Sequence, residues 1–200
     1  MADFSVALAY ILPNEGGYSR IAADKGGATN YGITQGVLDS WNAAGGGFPP
    51  DVADLTEDQA GAIYQANYWP EGMEQISSDA VGAKMLDIMV NFGVGGGLKI
   101  IQAAANTLVD PPTAVDGGLG PDTIATINAA DPELMLGALV SALKARYSAI
   151  VAKDPGQSVF LNGWLARAAR TPALIAGGLG LVVLLFVGGL IWMNNKGRGL

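Results

Sequence analysis

The chain has no cysteine and no histidine among its 200 residues. Without cysteine there are no disulfides, and nothing follows about a redox compartment. Neither a Cys–His pair nor a Ser–His–Asp triad can be assembled. Zinc sites built on His or Cys are excluded as well. Charge is scarce, at 14% of residues, and basic charge is the scarcer kind, with 11 Lys and Arg against 18 Asp and Glu. Lys196 and Arg198 lie beyond the last apolar run, so residues 1–170 hold nine basic side chains against eighteen acidic ones, a net charge of −9. Such a body has no electrostatic footing on a phosphate backbone, and nucleic acid is not an expected partner. It also lacks a basic face for anionic lipids or wall polymers. If the chain hydrolyses anything, carboxylates are the working groups, with no metal and no cofactor.

Apolar residues are plentiful. They make up 50% of the chain, enough for the core of one medium domain plus an appendage. Residues 173–193, ALIAGGLGLVVLLFVGGLIWM, carry no charge. At ~1.5 Å per residue such a run crosses a bilayer core. Thr171 and Pro172 read as N-cap and first helical position. Trp192 would sit at one interface, with Lys196 and Arg198 following. A single C-terminal transmembrane helix is therefore expected over 171–195, with a short basic tail at 196–200 and a lipid bilayer as partner. A buried core helix is the alternative, but no other segment looks able to surround it. At the other end, Asp3 stands where a secretory signal would carry positive charge, so no export signal is expected.

The body reads as mainly α-helical. Phe4, Leu8, Ile11 and Leu12 share a helical face in a segment that ends at Gly16-Gly17. The Gly-rich stretch from Asp24 to Thr34, with Tyr31, Ile33 and Thr34, suggests a short β-hairpin or an irregular strand pair. Gly45-Gly-Gly47 and Pro49-Pro50 mark a loop. Thr56-Glu-Asp-Gln59 has the form of a capping box. Ser78 or Asp79 can cap a helix carrying Val81, Met85, Met89 and Phe92. A further helix is expected from Leu98 to Leu108, after Gly95-Gly-Gly97. Pro121 and Pro132 look like first positions of two more. Leu134, Leu136, Leu139, Leu143, Tyr147 and Ile150 form a long apolar series. A last amphipathic piece runs from Ser158 to Arg170. Asp116 to Thr123 reads as a turn leading into a capped helix.

The segment Glu15-Gly-Gly-Tyr-Ser-Arg-Ile-Ala-Ala-Asp24-Lys-Gly-Gly-Ala-Thr29-Asn-Tyr-Gly-Ile-Thr34 carries the chemistry. Glu15 stands where a helix gives way to Gly-Gly. A carboxylate gains nothing from the helix dipole there, so its place is odd for a purely structural residue. Asp24 follows nine residues later at the mouth of a Gly-rich turn, where ordinary turn chemistry is the bland reading. Two carboxylates across a cleft are what acid/base cleavage of a glycosidic bond requires. On that reading Glu15 is the general acid. Asp24 activates water or stabilises the oxocarbenium-like transition state. Thr29 orients the water. Asn30 and Tyr31 line a sugar site, although Tyr31 suits a core position equally well. Asn91 is unfavourable inside a helix and must bond to something. It holds the catalytic loop, touches substrate or occupies a plain surface position.

The same segment resembles the signature of glycoside hydrolase family 108, bacterial and phage N-acetylmuramidases with a lysozyme-like helical fold. The resemblance implies that Glu15, in the Glu-Gly-Gly-Tyr motif, is the catalytic acid. The spacing is also similar to the Glu-x8-Asp-x5-Thr pattern of phage-type lysozymes. Glu15 and Asp24 fit it, while the third position falls on Asn30, with Thr29 one residue early. Asp87-Ile-Met-Val-Asn91-Phe-Gly and Gln102-Ala-Ala-Ala-Asn106 resemble the later part of the same family. Asp116 to Thr123, continuing through Trp164 and Arg167, resembles its peptidoglycan-binding region. The implied organisation is a lysozyme-like muramidase core at 1–108 and, at 109–170, a helical region completing the body. The implied activity is cleavage of the bond between N-acetylmuramic acid and N-acetylglucosamine in peptidoglycan. A lytic transglycosylase and a non-catalytic wall-binding or structural virion protein are the competing readings. The expected location is a membrane, either a host inner membrane or the internal membrane of a phage virion, where virion proteins would be further partners.

Overall fold

A computed structural model describes residues 1–19 and 28–173. Asp24 and the expected membrane span beyond Ala173 lie outside the described residues. The elements are α1 (Phe4–Glu15), β1 (Thr29–Asn30), β2 (Ile33–Thr34), α2 (Gln35–Ala43), α3 (Glu57–Tyr68), α4 (Asp79–Phe92), α5 (Val94–Ala105), α6 (Pro121–Ala129), α7 (Pro132–Lys153) and α8 (Ser158–Ala169). The fold is mainly helical with one small antiparallel hairpin, in line with the sequence pattern.

Local chemistry starts most of these helices. The Asp3 carboxylate accepts from the Ser5 amide at 2.7 Å and caps α1. Thr56 and Gln59 form the expected capping box at α3. Ser78 caps α4 and Asp131 caps α7. Pro121 and Pro132 occupy the first turns of α6 and α7, where a missing amide costs nothing.

α4 is the centre of the molecule. Ten successive residues, Ala80 to Met89, are buried. A helix covered on all sides is usually apolar all round. Val81, Met85, Ile88 and Met89 face one cluster, shared with Leu98 and Ile101 of α5, Leu139 and Leu143 of α7, and Trp164 of α8. Ala83 and Leu86 face a second, with Ala7 and Ile11 of α1, Ile33 of the hairpin, Leu38 of α2 and Ile63 of α3. Each large aliphatic side chain buried this way contributes about 1.5–3 kcal/mol. The first cluster joins residues on both sides of position 108.

Three expectations need correction. Gly95-Gly-Gly97 is not a loop before a helix at 98–108. α5 begins at Val94, directly after Gly93, and ends at Ala105. The glycines serve packing: a Cβ on Gly97 would lie 2.8 Å from the Met89 Cα of α4, so the two helices meet backbone to backbone. That contact outweighs glycine's poor helix propensity. Leu134, expected in the apolar face of α7, is 61% exposed. At Asp116 the turn is present, with its carboxylate accepting from the Gly118 amide at 2.8 Å, but the cap of α6 is Gly120 and uses no side chain. α7 itself is the helix, among the described residues, long and apolar enough to cross a membrane. In this fold it packs one face into the first cluster, burying Met135, Leu136, Leu139, Leu143 and Tyr147.

Candidate active site

Glu15 is the last residue of α1. Gly16, at φ 75°, turns the chain out of the helix. Ser19 then pairs with Thr29 through two backbone hydrogen bonds of 2.8 and 2.9 Å. The chain on either side of the Asp24 segment is thereby pinned together. β1 and β2 are joined by Tyr31-Gly32, at φ 50° and 76°. Two positive φ values are what a tight type I′ hairpin turn needs. Tyr31 holds that conformation because its carbonyl accepts a 3.0 Å bond from the Tyr64 hydroxyl of α3. The turn lies directly on Glu15. A Cβ on Gly32 would stand 2.9 Å from the Glu15 Cβ and 3.0 Å from its Oε2, and would collide with the Tyr64 hydroxyl.

The Glu15 carboxylate is not alone. Arg167 Nη2 of α8 donates to Oε1 at 2.7 Å, and both side chains are 16% exposed. The same Nη2 donates to Asp87 Oδ1 at 2.9 Å, and Nε reaches that oxygen at 3.1 Å. On its other side, Asp87 accepts from Lys84 Nζ at 3.0 Å. Four charges thus alternate in sign, from Glu15 at the edge to Lys84 in the core. Lys84 also donates to the Arg170 carbonyl at 2.8 Å. The last carbonyls of a helix lack internal partners, and a cation there is favoured by the helix dipole. Lys84 therefore caps the C-terminal end of α8 from inside the protein. α8 is held against α7 by the stacking of Tyr147 on Trp164 at 5.3 Å, and within α8 Phe160 stacks on the same Trp164 at 5.8 Å. This seating carries Arg167 to Glu15.

Burial works against the Asp87 charge, but Lys84 and Arg167 outweigh it and hold the carboxyl below the ordinary aspartate range. Burial also opposes the Arg167 charge, and Asp87 and Glu15 overcome it, so the guanidinium is held protonated. Burial, then the Glu15 charge, raises the Tyr64 and Tyr68 phenols. Burial, then Asp87, pushes Tyr147 up to about 12. A carboxyl depressed by folding stabilises the fold above its unfolded value of about 3.9 and gives that up as pH falls toward the folded value. The melting temperature is thus expected to drop steeply below pH about 4. Asp87→Asn should be less stable at neutral pH and show a shallower acid dependence. An acid limb in the variant parallel to the parent's would place the acid lability elsewhere.

The sequence-predicted site residues divide. Glu15 and the hairpin come together. Thr29 sits in β1 opposite Thr34, on the strand face away from its neighbour Asn30. Asn30 requires correction. Its side chain is buried, and Nδ2 donates to the carbonyls of Val52 at 3.1 Å and Leu55 at 3.2 Å. It ties the hairpin to the 52–55 turn and does not line a sugar site. The Tyr31 side chain is half-buried against the second core cluster. Among the described residues the Asn91 amide finds its partner within α4. Nδ2 bonds back to the Asp87 carbonyl at 2.6 Å, the usual refuge of a polar side chain inside a helix. Among the described residues no group of three acidic side chains is placed to hold a metal ion.

Sequence reasoning assigned no role to Lys84, Asp87 or Arg167. A signal was available for two of them. Lys84 and Asp87 stand three apart in an otherwise apolar run, Ala80 to Met89, and charges are rarely buried unless paired.

Residues 8–93 match the family model of glycosyl hydrolase 108. The chain is a glycoside hydrolase. Residues 96–169 match a second model, described as a predicted peptidoglycan domain. The solved structure of Brucella abortus SagA is similar, with a TM-score of 0.64 at 28% identity over 83% of this chain and 89% of that one. No curated protein matches the chain. The two matched regions of this glycoside hydrolase meet around Gly93, between α4 and α5. Glu15, Lys84 and Asp87 come from the first region, and Arg167 comes from the second.

Proposed function

We propose that the chain is an N-acetylmuramidase that cuts the glycan strands of peptidoglycan. The observation that carries this is Glu15 in its Glu-Gly-Gly-Tyr segment, at the end of α1 and under the hairpin turn, within a glycosyl hydrolase 108 match that a peptidoglycan-domain match follows. In the proposed reaction Glu15 gives its proton to the glycosidic oxygen as the C1–O bond breaks. A water oxygen bonds to C1 and loses its proton to the Asp24 carboxylate, with Thr29 orienting the water. Solvent exchange then returns the proton to Glu15. Carboxyl groups ~6.5–9.5 Å apart leave room for that water and invert the anomeric centre. No cofactor takes part.

Residues 173–193 are proposed to anchor the enzyme in a membrane, with a phage-encoded wall-penetrating or lytic role as the setting. The acidic body makes charge-driven adhesion to the wall unfavourable, so hydrogen bonds and aromatic contacts in the cleft would hold the glycan. The activity is tested by adding the full chain to a suspension of purified peptidoglycan. Turbidity should fall as soluble fragments appear, and an unchanged suspension would oppose the reading. The anchor is tested by detergent phase partition. Recovery of the full chain in the aqueous phase without detergent would oppose it.

A further inference from the structure

We propose that Arg167 is the positioning residue of Glu15, so that the second matched region completes the active site as well as following it. This rests on Glu15 as the general acid. Arg167 reaches Glu15 across 152 positions of sequence. Its guanidinium does not float. Nε and Nη2 both grip Asp87 Oδ1, and the Asp87 side chain is 3% exposed and gripped in turn by a fully buried Lys84. A flexible surface arginine would lose much of its pairing energy to its own entropy. This one is fixed before it meets Glu15, so it fixes Oε1 and with it the direction of Oε2.

Charge follows the same geometry. Arg167 serves two carboxylates, and Lys84 offsets Asp87. Among the described residues, the Tyr64 and Tyr68 phenols of α3 feel the Glu15 charge, and the Gly32 backbone of the hairpin lies against its side chain.

The test uses the full chain in detergent with soluble peptidoglycan fragments as substrate. It measures kcat, KM and the melting temperature. Arg167→Gln should lower kcat by about 10²-fold, the scale of a small misplacement of a reacting group, with little change in KM. Arg167→Lys keeps the charge without the planar fork, and should recover only part of the lost kcat, again with little change in KM. A folded Arg167→Gln protein with parental kcat would overturn the inference. If that variant fails to fold, parental kcat in Arg167→Lys overturns it instead. Loss of activity in Glu15→Gln alongside either of those results would leave the acid assignment standing and remove only Arg167. An active, folded Glu15→Gln protein would remove both.

Discussion

Glu15→Gln is expected to keep the fold and to lose about 10²–10⁴ in lytic rate, the usual worth of a general acid. Glutamine has the same shape and still offers Oε1 to Arg167. Arg167 meanwhile keeps its two contacts with Asp87 Oδ1. The buried pair of Asp87 and Lys84 is untouched. Only the exchangeable proton is removed. The melting temperature should therefore move little while peptidoglycan clearing nearly stops. Lysis within a few-fold of the parent by a folded variant would show that Glu15 is not the acid.

The largest effect on stability is expected at Lys84. Its ammonium is fully buried on α4 and has three acceptors, Asp87 Oδ2 at 3.0 Å and the carbonyls of Arg170 at 2.8 Å and Arg167 at 3.5 Å. Lys84→Met fills a similar volume without the charge. Asp87 would keep Arg167 but lose half its compensation, and the end of α8 would lose its internal cap. Breaking one side of a buried pair costs about 3–5 kcal/mol. A typical domain has only about 5–15 kcal/mol in total, so the variant should unfold at much lower denaturant. Its residual activity should also be low, because α8 carries Arg167. A midpoint close to the parent's would mean that the buried charges can be replaced at no cost, as happens where a whole pair is exchanged for apolar side chains.

How far the sequence was legible follows from the range of each interaction. The caps at Asp3, Thr56 and Ser78 and the prolines at 121 and 132 act within one turn of helix, and all stand where local chemistry puts them. The hairpin was legible because a Gly-rich stretch beside Thr and Tyr has few other uses. The helical start at Val94 was not, since three glycines read as a loop until Met89 of α4 is known to lie against Gly97. Asn30 and Asn91 looked like ligand contacts because an apolar setting demands a partner for an amide. The sequence alone does not reveal that those partners are the 52–55 turn and the Asp87 carbonyl. The pairing of Arg167 with Glu15 was equally invisible, as a contact between the two ends of the body depends on how α8 seats on α7. For Asp24 and the apolar span beyond Ala173, which lie outside the described residues, the sequence pattern is the ground on which the proposals rest.

The central claim is that the chain hydrolyses the glycan at N-acetylmuramic acid, and it is tested most directly by the mass of the products released from purified peptidoglycan by the full chain. The account predicts fragments ending in a reducing N-acetylmuramic acid, each carrying the added mass of one water. Fragments ending in a 1,6-anhydro sugar would identify a transglycosylase instead. Fragments with a reducing N-acetylglucosamine end, or no fragments at all from folded protein, would contradict the account.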